Sequence, residues 1–238
     1  MISIPLYLDQ EHACSYLEQQ RSQFAYIHPD IPLNTALYSQ LIAQGFRRSG
    51  SHVYQPYCTA CTSCVAVRLS INEFKASRQQ RRTLKNNADI QVNIKPAVFE
   101  QAHFDLYLLY QQSRHTDSNM ANASEADYIG FLGSEWCNTL FVEFSCAGEL
   151  LGVAIVDLLD NALSAVYTFF DPKFSRRSLG VYAVLWQIEH AKSLGLDWLY
   201  LGYWVEKCQK MSYKTNYQPL QGLIDKEWRE YHADTFFL

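Results

Sequence analysis

The order of predicted elements between residues 139 and 204 constrains the fold of this chain more than any other feature. Three strand-like runs come first, separated only by short turn sequences around Gly148 and Asn161, which predicts an antiparallel meander. A helix is predicted next, over about 177–193, because apolar residues recur there at helical spacing and Gly195 follows its end. The strand-like runs are Thr139–Cys146, Leu151–Asp157, Leu163–Phe170 and, after the helix, Trp198–Trp204.

A meander followed by a helix and a strand resembles the acyltransferase core of the N-acetyltransferase superfamily, the GNAT fold. That fold has two neighbouring strands that splay apart, with the N-terminus of the following helix pointing into the gap. Here Leu163–Phe170 is the expected splayed strand, and a helix beginning near Arg177 would offer free backbone N–H groups to a phosphate or an oxyanion. The corresponding loop keeps a single glycine, Gly180, which disfavours coenzyme A as a ligand.

The predicted fold class is therefore α+β: a GNAT-like mixed sheet with flanking helices, preceded by a smaller α/β N-terminal domain. Pro96 is the predicted boundary, which divides the chain into residues 1–95 and 96–238. Before it we expect helices over about 11–20 and 34–44, strands at Val65–Ser70 and Ile90–Lys95, and a helix opened by the capping-box pair Ser77 and Gln80. After it, further helices are expected over about 98–114 and from Ser124 to about 132.

Basic charge is concentrated in the first segment, although the whole chain has a net charge of −4. Residues 1–95 hold ten Lys/Arg against six Asp/Glu, whereas residues 96–238 hold ten against eighteen. A polyanion is therefore expected to dock on the first segment. Since Asp9 and Glu11 interrupt the N-terminus and no run of about eighteen apolar residues occurs, we expect a cytoplasmic protein with no membrane partner.

Four cations share one face of the helix that Ser77 opens. Arg78, Arg81, Arg82 and Lys85 recur at spacings of three and four. The face is either a solvated surface or a docking site for phosphates, and we favour docking because no carboxylate interrupts it. Each phosphate contact would add salt dependence to the affinity for a nucleic acid.

Three cysteines are spaced as Cys-x2-Cys-x2-Cys, at Cys58, Cys61 and Cys64, and Cys14 could supply a fourth thiolate. This spacing is tighter than that of a zinc site made from two Cys-x2-Cys pairs, and Leu17 stands where the partner of Cys14 would be needed. Two interpretations stay open, namely a metal site and a set of reduced, partly buried thiols.

Several motifs, in a specific order from about residue 14 to residue 220, resemble the bacterial leucyltransferase branch of the arginyl-tRNA–protein transferase family. They are Gly45–Gly50, Tyr54–Cys64, Val67–Arg68, Ser77–Arg82, Asn86–Asn87, Tyr110, Arg114–His115, Tyr167–Pro172, Gly202–Trp204 and Lys210–Lys214. The resemblance implies transfer of leucine from leucyl-tRNA to the N-terminal α-amine of polypeptides that begin with Asp or Glu, which marks them for N-degron degradation. It also implies that the basic N-terminal domain binds tRNA and acceptor, while the C-terminal domain performs aminoacyl transfer.

The site residues predicted on this basis form three groups. The catalytic candidates are Asp171, at the end of the splayed strand, Tyr203 and His115, although Asp171 could equally be a turn residue before Pro172. The acceptor carboxylate is expected to bind Arg47, Arg48 and Arg114, because arginine pairs with carboxylates bidentately. Beyond the basic helix, the residues expected to bind tRNA are Arg176, Arg177, Lys210, Tyr213 and Lys214, and Arg47 and Arg48 could instead extend that patch.

The predicted chemistry requires no cofactor, because the aminoacyl ester is already activated. The protein has to position the amine, accept its proton and stabilise the oxyanion. Three alternatives stay open: transfer from arginyl-tRNA, as in the eukaryotic relatives, a coenzyme A-dependent N-acetyltransferase, and a non-catalytic, metal-containing tRNA-binding module.

Overall fold

The structure of the chain, a computed structural model, describes residues 4–114, 122–234 and 237. The α-helices within these ranges are α1 (Thr35–Ala43), α2 (Arg78–Asn86), α3 (Gln101–Arg114), α4 (Glu125–Leu132) and α5 (Leu179–Ser193). Two 3₁₀ segments cover Pro172–Arg177 and Gln209–Asn216. The strands are β1 (Leu6–Leu8), β2 (His12–Ala13), β3 (Arg21–Ser22), β4 (Phe24–Ile27), β5 (Arg47–Ser49), β6 (His52–Pro56), β7 (Val65–Ser70), β8 (Gln91–Pro96), β9 (Thr139–Cys146), β10 (Glu149–Leu158), β11 (Ala162–Phe170), β12 (Trp198–Trp204), β13 (Leu220–Ile224) and β14 (Glu227–Glu230).

A small antiparallel sheet of four strands, in the order β1-β4-β6-β5, forms near the N-terminus. Helix α1 accompanies it, capped by Asn34, whose side chain accepts a hydrogen bond from the backbone N–H of Leu37 at 2.8 Å. The helix ends before Gly45, whose φ of +92° suits a residue without a side chain. Tyr38 and Ile42 of α1 are buried in one apolar cluster with residues of this sheet, so the sheet and α1 are the smaller N-terminal unit that the sequence predicts.

The helix predicted over about 11–20 is wrong. These residues lie around the two-residue strands β2 and β3, and Gln19 between them has a φ of 62°. The side chain of Arg21 donates to the main-chain oxygen of Glu11 at 2.5 Å, and the Asp9 carboxylate accepts from the N–H of Phe24 at 2.7 Å. Hydrogen bonds between residues ten or more apart therefore replace those of a helix.

The large sheet has eight strands in the order β14-β13-β7-β12-β11-β10-β9-β8. Among the described pairings of this sheet, only β11 with β12 is parallel, and the meander β9–β10–β11 is antiparallel as predicted. Strand β7 precedes Pro96 and strand β8 ends at it, yet both strands belong to this sheet. The large sheet therefore crosses the predicted boundary, because β7 lies between β12 and β13.

Helices cover both faces of the large sheet. Helix α5 packs on one face through Tyr182, Leu185 and Ile188, whereas α3 and α4 pack on the other with Tyr107 and Tyr128. Strand β10 is buried along almost its whole length because it lies between the two layers. The predicted fold class, a mixed sheet with flanking helices, is confirmed. No helix in the described parts of the chain combines the length and apolar character needed to cross a membrane.

Candidate active site

Strands β11 and β12 pair over only three residues and then separate. The paired residues are Ala162–Ser164 with Trp198–Tyr200. Each strand then carries a bulge: Val166 is an extra residue opposite β10, and Leu201 is an extra residue opposite β7. Because a bulge bends its strand and redirects the backbone, these two irregularities open the gap that the sequence predicts.

A cavity of about 340 Å³ and a larger one of about 610 Å³ lie in the described structure, and the larger one occupies this gap. We call the larger one the splay cavity. Residues from β11, from β12, from the start of α5 and from the segment Gln209–Asn216 line it, together with Arg47 of β5. Its wall therefore combines residues from both halves of the chain.

Two cationic side chains satisfy main-chain carbonyls on the two separated strands. Arg47 Nη2 donates to the oxygen of Ala165 on β11 at 3.1 Å, and Lys214 Nζ donates to the oxygen of Tyr203 on β12. Both side chains are buried, with 8% of Arg47 and 6% of Lys214 exposed. The carbonyls need such donors because strands that have separated cannot bond to each other.

Gly202 lies next to both cations. Its φ is +83°, and a Cβ atom built there would lie 3.5 Å from Arg47 Nη2 and 3.6 Å from Lys214 Nζ. Burial, and then the nearby positive charge of Arg47, lower the pKa of Lys214 to about 7. Lys214 therefore exists largely as a mixture of neutral amine and ammonium at neutral pH.

The charged residues that line the splay cavity all carry positive charge. They are Arg47, Arg48, Arg114, Lys210 and Lys214, and no carboxylate occurs among the described lining residues. Arg47 Nη1 and Ser164 Oγ are buried and have no hydrogen-bond partner in the part of the chain that the structure describes. The apolar part of the wall includes Phe170, Val181, Val184, Leu201 and Met211. The cavity is thus suited to an anionic group beside an uncharged, apolar one.

Arg48 lines the same cavity but is not available to a ligand. Its side chain is fully buried, and Nε and Nη2 form a bidentate ion pair with Asp157 at 2.7 and 2.6 Å. The remaining donors reach Thr139 Oγ1 and three backbone carbonyls. The predicted acceptor role of Arg48 is therefore corrected to a structural one, because every guanidinium nitrogen is already hydrogen bonded.

Of the other predicted residues around the cavity, some lie at its opening and one is buried inside. Arg114, Lys210 and Tyr213 are exposed and line the mouth. Tyr203 is buried, and its hydroxyl donates to the oxygen of Gly45 at 2.7 Å. Its predicted part in proton transfer is not supported, since that proton already has an acceptor in the main chain.

Asp171 does not lie among the residues that line the cavity. Its carboxylate caps the 3₁₀ segment by accepting from the N–H of Lys173 at 2.9 Å, and it faces Lys173 Nζ at 3.3 Å. The turn interpretation of Asp171 therefore agrees with the structure, whereas the catalytic one does not. His115 lies outside the described residues.

The buried face of α2, opposite its four cations, contacts segments next to the cavity. The side chain of Gln80 donates to the oxygen of Asn216 at 3.0 Å, and that of Asn87 donates to the oxygen of Arg177 at 2.8 Å. The capping box of Ser77 and Gln80 is formed as predicted. All four predicted cations of the face are exposed and, within the described ranges, none forms an ion pair: Arg78, Arg81, Arg82 and Lys85.

The two arginines before α5 differ in their surroundings. Arg176 is exposed. Arg177 forms a bidentate pair with Asp89, at 2.8 Å for each contact, which holds the pKa of that carboxyl well below its ordinary value. Arg177 is therefore already neutralised, unlike Arg176.

The four cysteines of interest, Cys14, Cys58, Cys61 and Cys64, line the smaller cavity of about 340 Å³, which we call the thiol cavity. Burial, and then the neighbouring thiols, raise the pKa of Cys64 to about 12. Among the described residues the thiols do not form a group of three ligand atoms within 4.8 Å.

A group of three potential metal ligands within 4.8 Å exists at Glu100, His103 and Glu143, where Lys95 Nζ already binds the two carboxylates at 2.7 and 2.8 Å.

Ser164 and Gly202 are the residues of the cavity that sequence reasoning missed. Gly202 belongs to the Gly202–Trp204 motif, and an isolated glycine in a strand pattern is a signal for a bulge or a close approach. Ser164 has no comparable signal, because a serine in a strand-like run is common.

Residues 12–82 match the family model described as the N terminus of arginine-tRNA-protein transferase, and residues 102–224 match the one described as its C terminus. A protein of Marinobacter nauticus named aspartate/glutamate leucyltransferase is 47% identical over 223 residues, or 94% of each chain. One of the same name from Alcanivorax borkumensis is 47% identical over 92% of this chain and 90% of its own.

Solved structures resemble the chain more distantly. The C-terminal domain of a putative lysylphosphatidylglycerol synthetase from Agrobacterium fabrum is 13% identical with a TM-score of 0.48, covering 71% of this chain and 52% of its own. FemX is 8% identical with a TM-score of 0.46, covering 83% of this chain and 79% of its own.

Proposed function

This chain belongs to the arginine-tRNA-protein transferase family, and on that premise we propose that it transfers leucine from leucyl-tRNA to the N-terminal α-amine of polypeptides that begin with Asp or Glu. The observation that carries the proposal is the charge of the splay cavity, which, among the residues that the structure describes, holds three cations without an ion pair, Arg47, Arg114 and Lys210, and no carboxylate. Such a cavity favours an acidic acceptor side chain beside an uncharged donor side chain.

The same observation separates leucine from arginine as the donor. An arginyl side chain would bring a further positive charge into a basic wall that offers it no carboxylate within the described residues. A leucyl side chain carries no charge and can pack against the apolar wall that includes Phe170, Val184 and Met211. Leaving a buried charge unpaired is costly, so the cavity favours leucyl-tRNA.

Recognition of the acceptor is assigned to Arg47. Its Nη1 is buried and has no partner among the described residues, while Nη2 is held by the oxygen of Ala165 at 3.1 Å. A carboxylate bound to Nη1 would remove an unsatisfied buried donor and form a charge-assisted hydrogen bond. Arg114, exposed at the mouth, is the second cation within reach of an acidic chain.

The tRNA is assigned to the exposed cations of α2 and of the segments next to the cavity. Arg78, Arg81, Arg82 and Lys85 are exposed on α2, Arg176 and Lys210 are also exposed, and 44% of Tyr213 is exposed. Phosphates suit the cations, and unpaired bases of the acceptor end suit an aromatic face. The transfer itself joins the acceptor nitrogen to the ester carbonyl carbon, breaks the ester bond to the ribose and returns a proton to the ribose oxygen.

The product carries an added N-terminal leucine, which in our proposal marks it for degradation by the N-degron route in the cytoplasm. No cofactor is needed for the bond exchange. The donor set of Cys14, Cys58, Cys61 and Cys64 is chemically suited to a zinc ion or an iron–sulfur cluster, and the four residues line one cavity, but binding would require their thiols to move closer together than they lie in the described structure. Such a metal would stiffen the fold around the thiol cavity, and metal analysis of purified protein with its visible absorption spectrum tests for it.

The decisive experiment is a transfer assay with labelled leucyl-tRNA and arginyl-tRNA run in parallel. Peptides beginning with Asp, Glu, Asn and Ala serve as acceptors, and the product is identified by mass spectrometry. We expect leucine on the Asp and Glu peptides, a low rate at most on the Asn peptide and none on the Ala peptide. Arginine transfer, or equal transfer to the Ala peptide, would contradict the proposal. Acetylation from acetyl coenzyme A would support the acetyltransferase alternative, and tRNA binding without any transfer would support a binding module.

A further inference from the structure

The amine of Lys214 has a position unlike that of a surface lysine. Only 6% of the residue is exposed, and Nζ donates to the oxygen of Tyr203 inside the splay cavity. It lies across Gly202 from Arg47 and forms no ion pair with a carboxylate within the described structure. Its neighbour Lys210, in contrast, is exposed at the mouth of the cavity. The predicted role of Lys214 in binding tRNA phosphates is therefore better filled by Lys210.

The segment that carries Lys214 is held in place from several sides. Asn216 accepts a hydrogen bond from Gln80 of α2, and the N–H of Tyr217 donates to the oxygen of Lys214 at 3.3 Å. Met211, Tyr213 and Lys214 all line the same wall. A neutral donor such as a glutamine would satisfy the Tyr203 carbonyl at less cost than a buried lysine. The amine therefore has a use beyond that hydrogen bond.

We propose that Lys214 is the catalytic base of the transfer, accepting the proton that the acceptor α-amine loses as it attacks the ester carbonyl. This inference rests on the proposed function. The acceptor nitrogen forms a bond to the carbonyl carbon, and its proton passes to the lone pair of Lys214 Nζ. The C–O bond to the ribose then breaks, and the resulting ammonium returns a proton to the ribose oxygen. Atoms and charge balance without a further reactant.

The other candidates for this role are less well positioned. Asp171 lies outside the residues that line the cavity and is engaged by Lys173. The Tyr203 hydroxyl already donates to Gly45 at 2.7 Å. Arg47 is adjacent to Lys214, so one side chain can bind the acceptor carboxylate while the other receives the proton of the same acceptor residue. That pairing couples the identity of the acceptor to the chemical step.

The surroundings favour an uncharged Lys214 near neutral pH. Burial and Arg47 lower the pKa of its amine to about 7, which suits a general base in the cytoplasm. The other charged groups of the cavity are Arg114 and Lys210 at its mouth and the paired Arg48. Burial raises the pKa values of Tyr54 and Tyr203, which favours their uncharged hydroxyls beside Lys214. Cys64 and Cys208 are the nearby thiols.

The test compares Lys214→Met with the control Lys192→Met, which removes an exposed lysine at the far end of α5. Single-turnover transfer to an Asp peptide should fall by about 100-fold or more in Lys214→Met, with leucyl-tRNA affinity unchanged. The remaining pH dependence should reflect the acceptor amine alone. In Lys214→Ala, small primary amines should restore transfer to the peptide in order of their basicity. The inference would be overturned if the transfer rate of Lys214→Met fell by less than about threefold. It would also be overturned if Asp171→Asn, and not Lys214→Met, showed the strong loss of transfer.

A second measurement remains valid even where the variants fold poorly. Trace acylation of the lysines in the wild-type protein, followed by peptide mass spectrometry from pH 5 to 10, reports the ionisation of each amine. Lys214 should titrate near 7 and be protected by leucyl-tRNA together with the Asp peptide, whereas titration above 9 would overturn the inference. Absence of leucine transfer by the wild-type protein would instead refute the proposed function, so the two failures are distinguishable.

Discussion

Arg48 and Asp157 form a bidentate ion pair that has no solvent-exposed side-chain surface, and it joins strand β5 of the small sheet to strand β10 of the large one. Arg47, the adjacent residue on β5, lies in the splay cavity with one guanidinium nitrogen unpartnered among the described residues. Anchoring of Arg48 therefore also sets the position of Arg47. Two consecutive arginines thus have different tasks, one in stability and one in binding.

Arg48→Met should destabilise the protein by about 3–5 kcal/mol, because it leaves the Asp157 carboxylate buried without its partner. Urea unfolding monitored by tryptophan fluorescence measures this. The double variant Arg48→Met with Asp157→Leu should recover part of the loss, since it removes both charges. Equal stability of the wild type and the single variant would contradict the assignment of this pair as a structural anchor.

Arg47→Gln should lower kcat/KM for Asp and Glu peptides by about 10- to 100-fold, the effect of losing a charge-assisted hydrogen bond. Affinity for leucyl-tRNA should change little. The internal control is an Asn peptide, on which the wild type and the variant should act at similar, low rates. Retention of the preference for Asp over Asn in the variant would show that Arg47 does not select the acceptor.

Arg81→Gln combined with Arg82→Gln should weaken leucyl-tRNA binding and make it less sensitive to salt. Each lost phosphate contact should reduce the slope of log affinity against log salt concentration by about one. Filter binding at several salt concentrations measures this, with Lys192→Gln as the control because that lysine is exposed at the far end of α5. An unchanged slope would indicate that this face of α2 is only solvated.

Gly202→Ala should lower the transfer activity, because its methyl group would occupy space between two side chains of the cavity. The new methyl group would lie 3.5 Å from Arg47 Nη2 and 3.6 Å from Lys214 Nζ, between the two groups that act on the acceptor. Gly148→Ala is a matched control, because Gly148 has the same φ of +83° and no atom within 4 Å of its would-be Cβ among those described. Both variants should lose about 1 kcal/mol from backbone strain, but only Gly202→Ala should lose activity.

The free energy of unfolding of the wild type should rise between about pH 7 and pH 9, because Lys214 loses its proton in the folded protein but keeps it in the unfolded chain. Its pKa is about 7 when folded against an ordinary value of 10.5, so in this range the unfolded chain holds a proton that the folded chain has released. Stability then increases with pH and is lost as pH falls towards 7. The free energy of unfolding of Lys214→Met should exceed that of the wild type by a margin that shrinks by about 2 kcal/mol from pH 7 to pH 9. The other titrating groups are the same in both proteins, so their effects cancel in this difference. A difference that stays constant with pH in urea unfolding would contradict the lowered pKa of Lys214.

Patterns within single segments predicted much of the fold. Helix α2 and its capping box depend on residues a few positions apart, as do the three strands of the meander and helix α5. The strands of the small sheet were not predicted, because they are short and carry no clear alternation. The region about 11–20 was predicted wrongly because hydrogen bonds to residues farther along the chain outweigh its weak helical pattern.

The sequence alone was enough to predict the element order from the meander to β12, the splay between two strands, the basic face of α2 and the family of the chain, since each depends on local periodicity or on ordered motifs. Only the tertiary structure decided which of two adjacent arginines is buried in an ion pair, that Lys214 lies inside the cavity, and that Asp171 lies outside it. The reason is that burial and charge at a site depend on partners from distant parts of the chain. Arg48 and Asp157 are 109 residues apart, and no local pattern records that they meet.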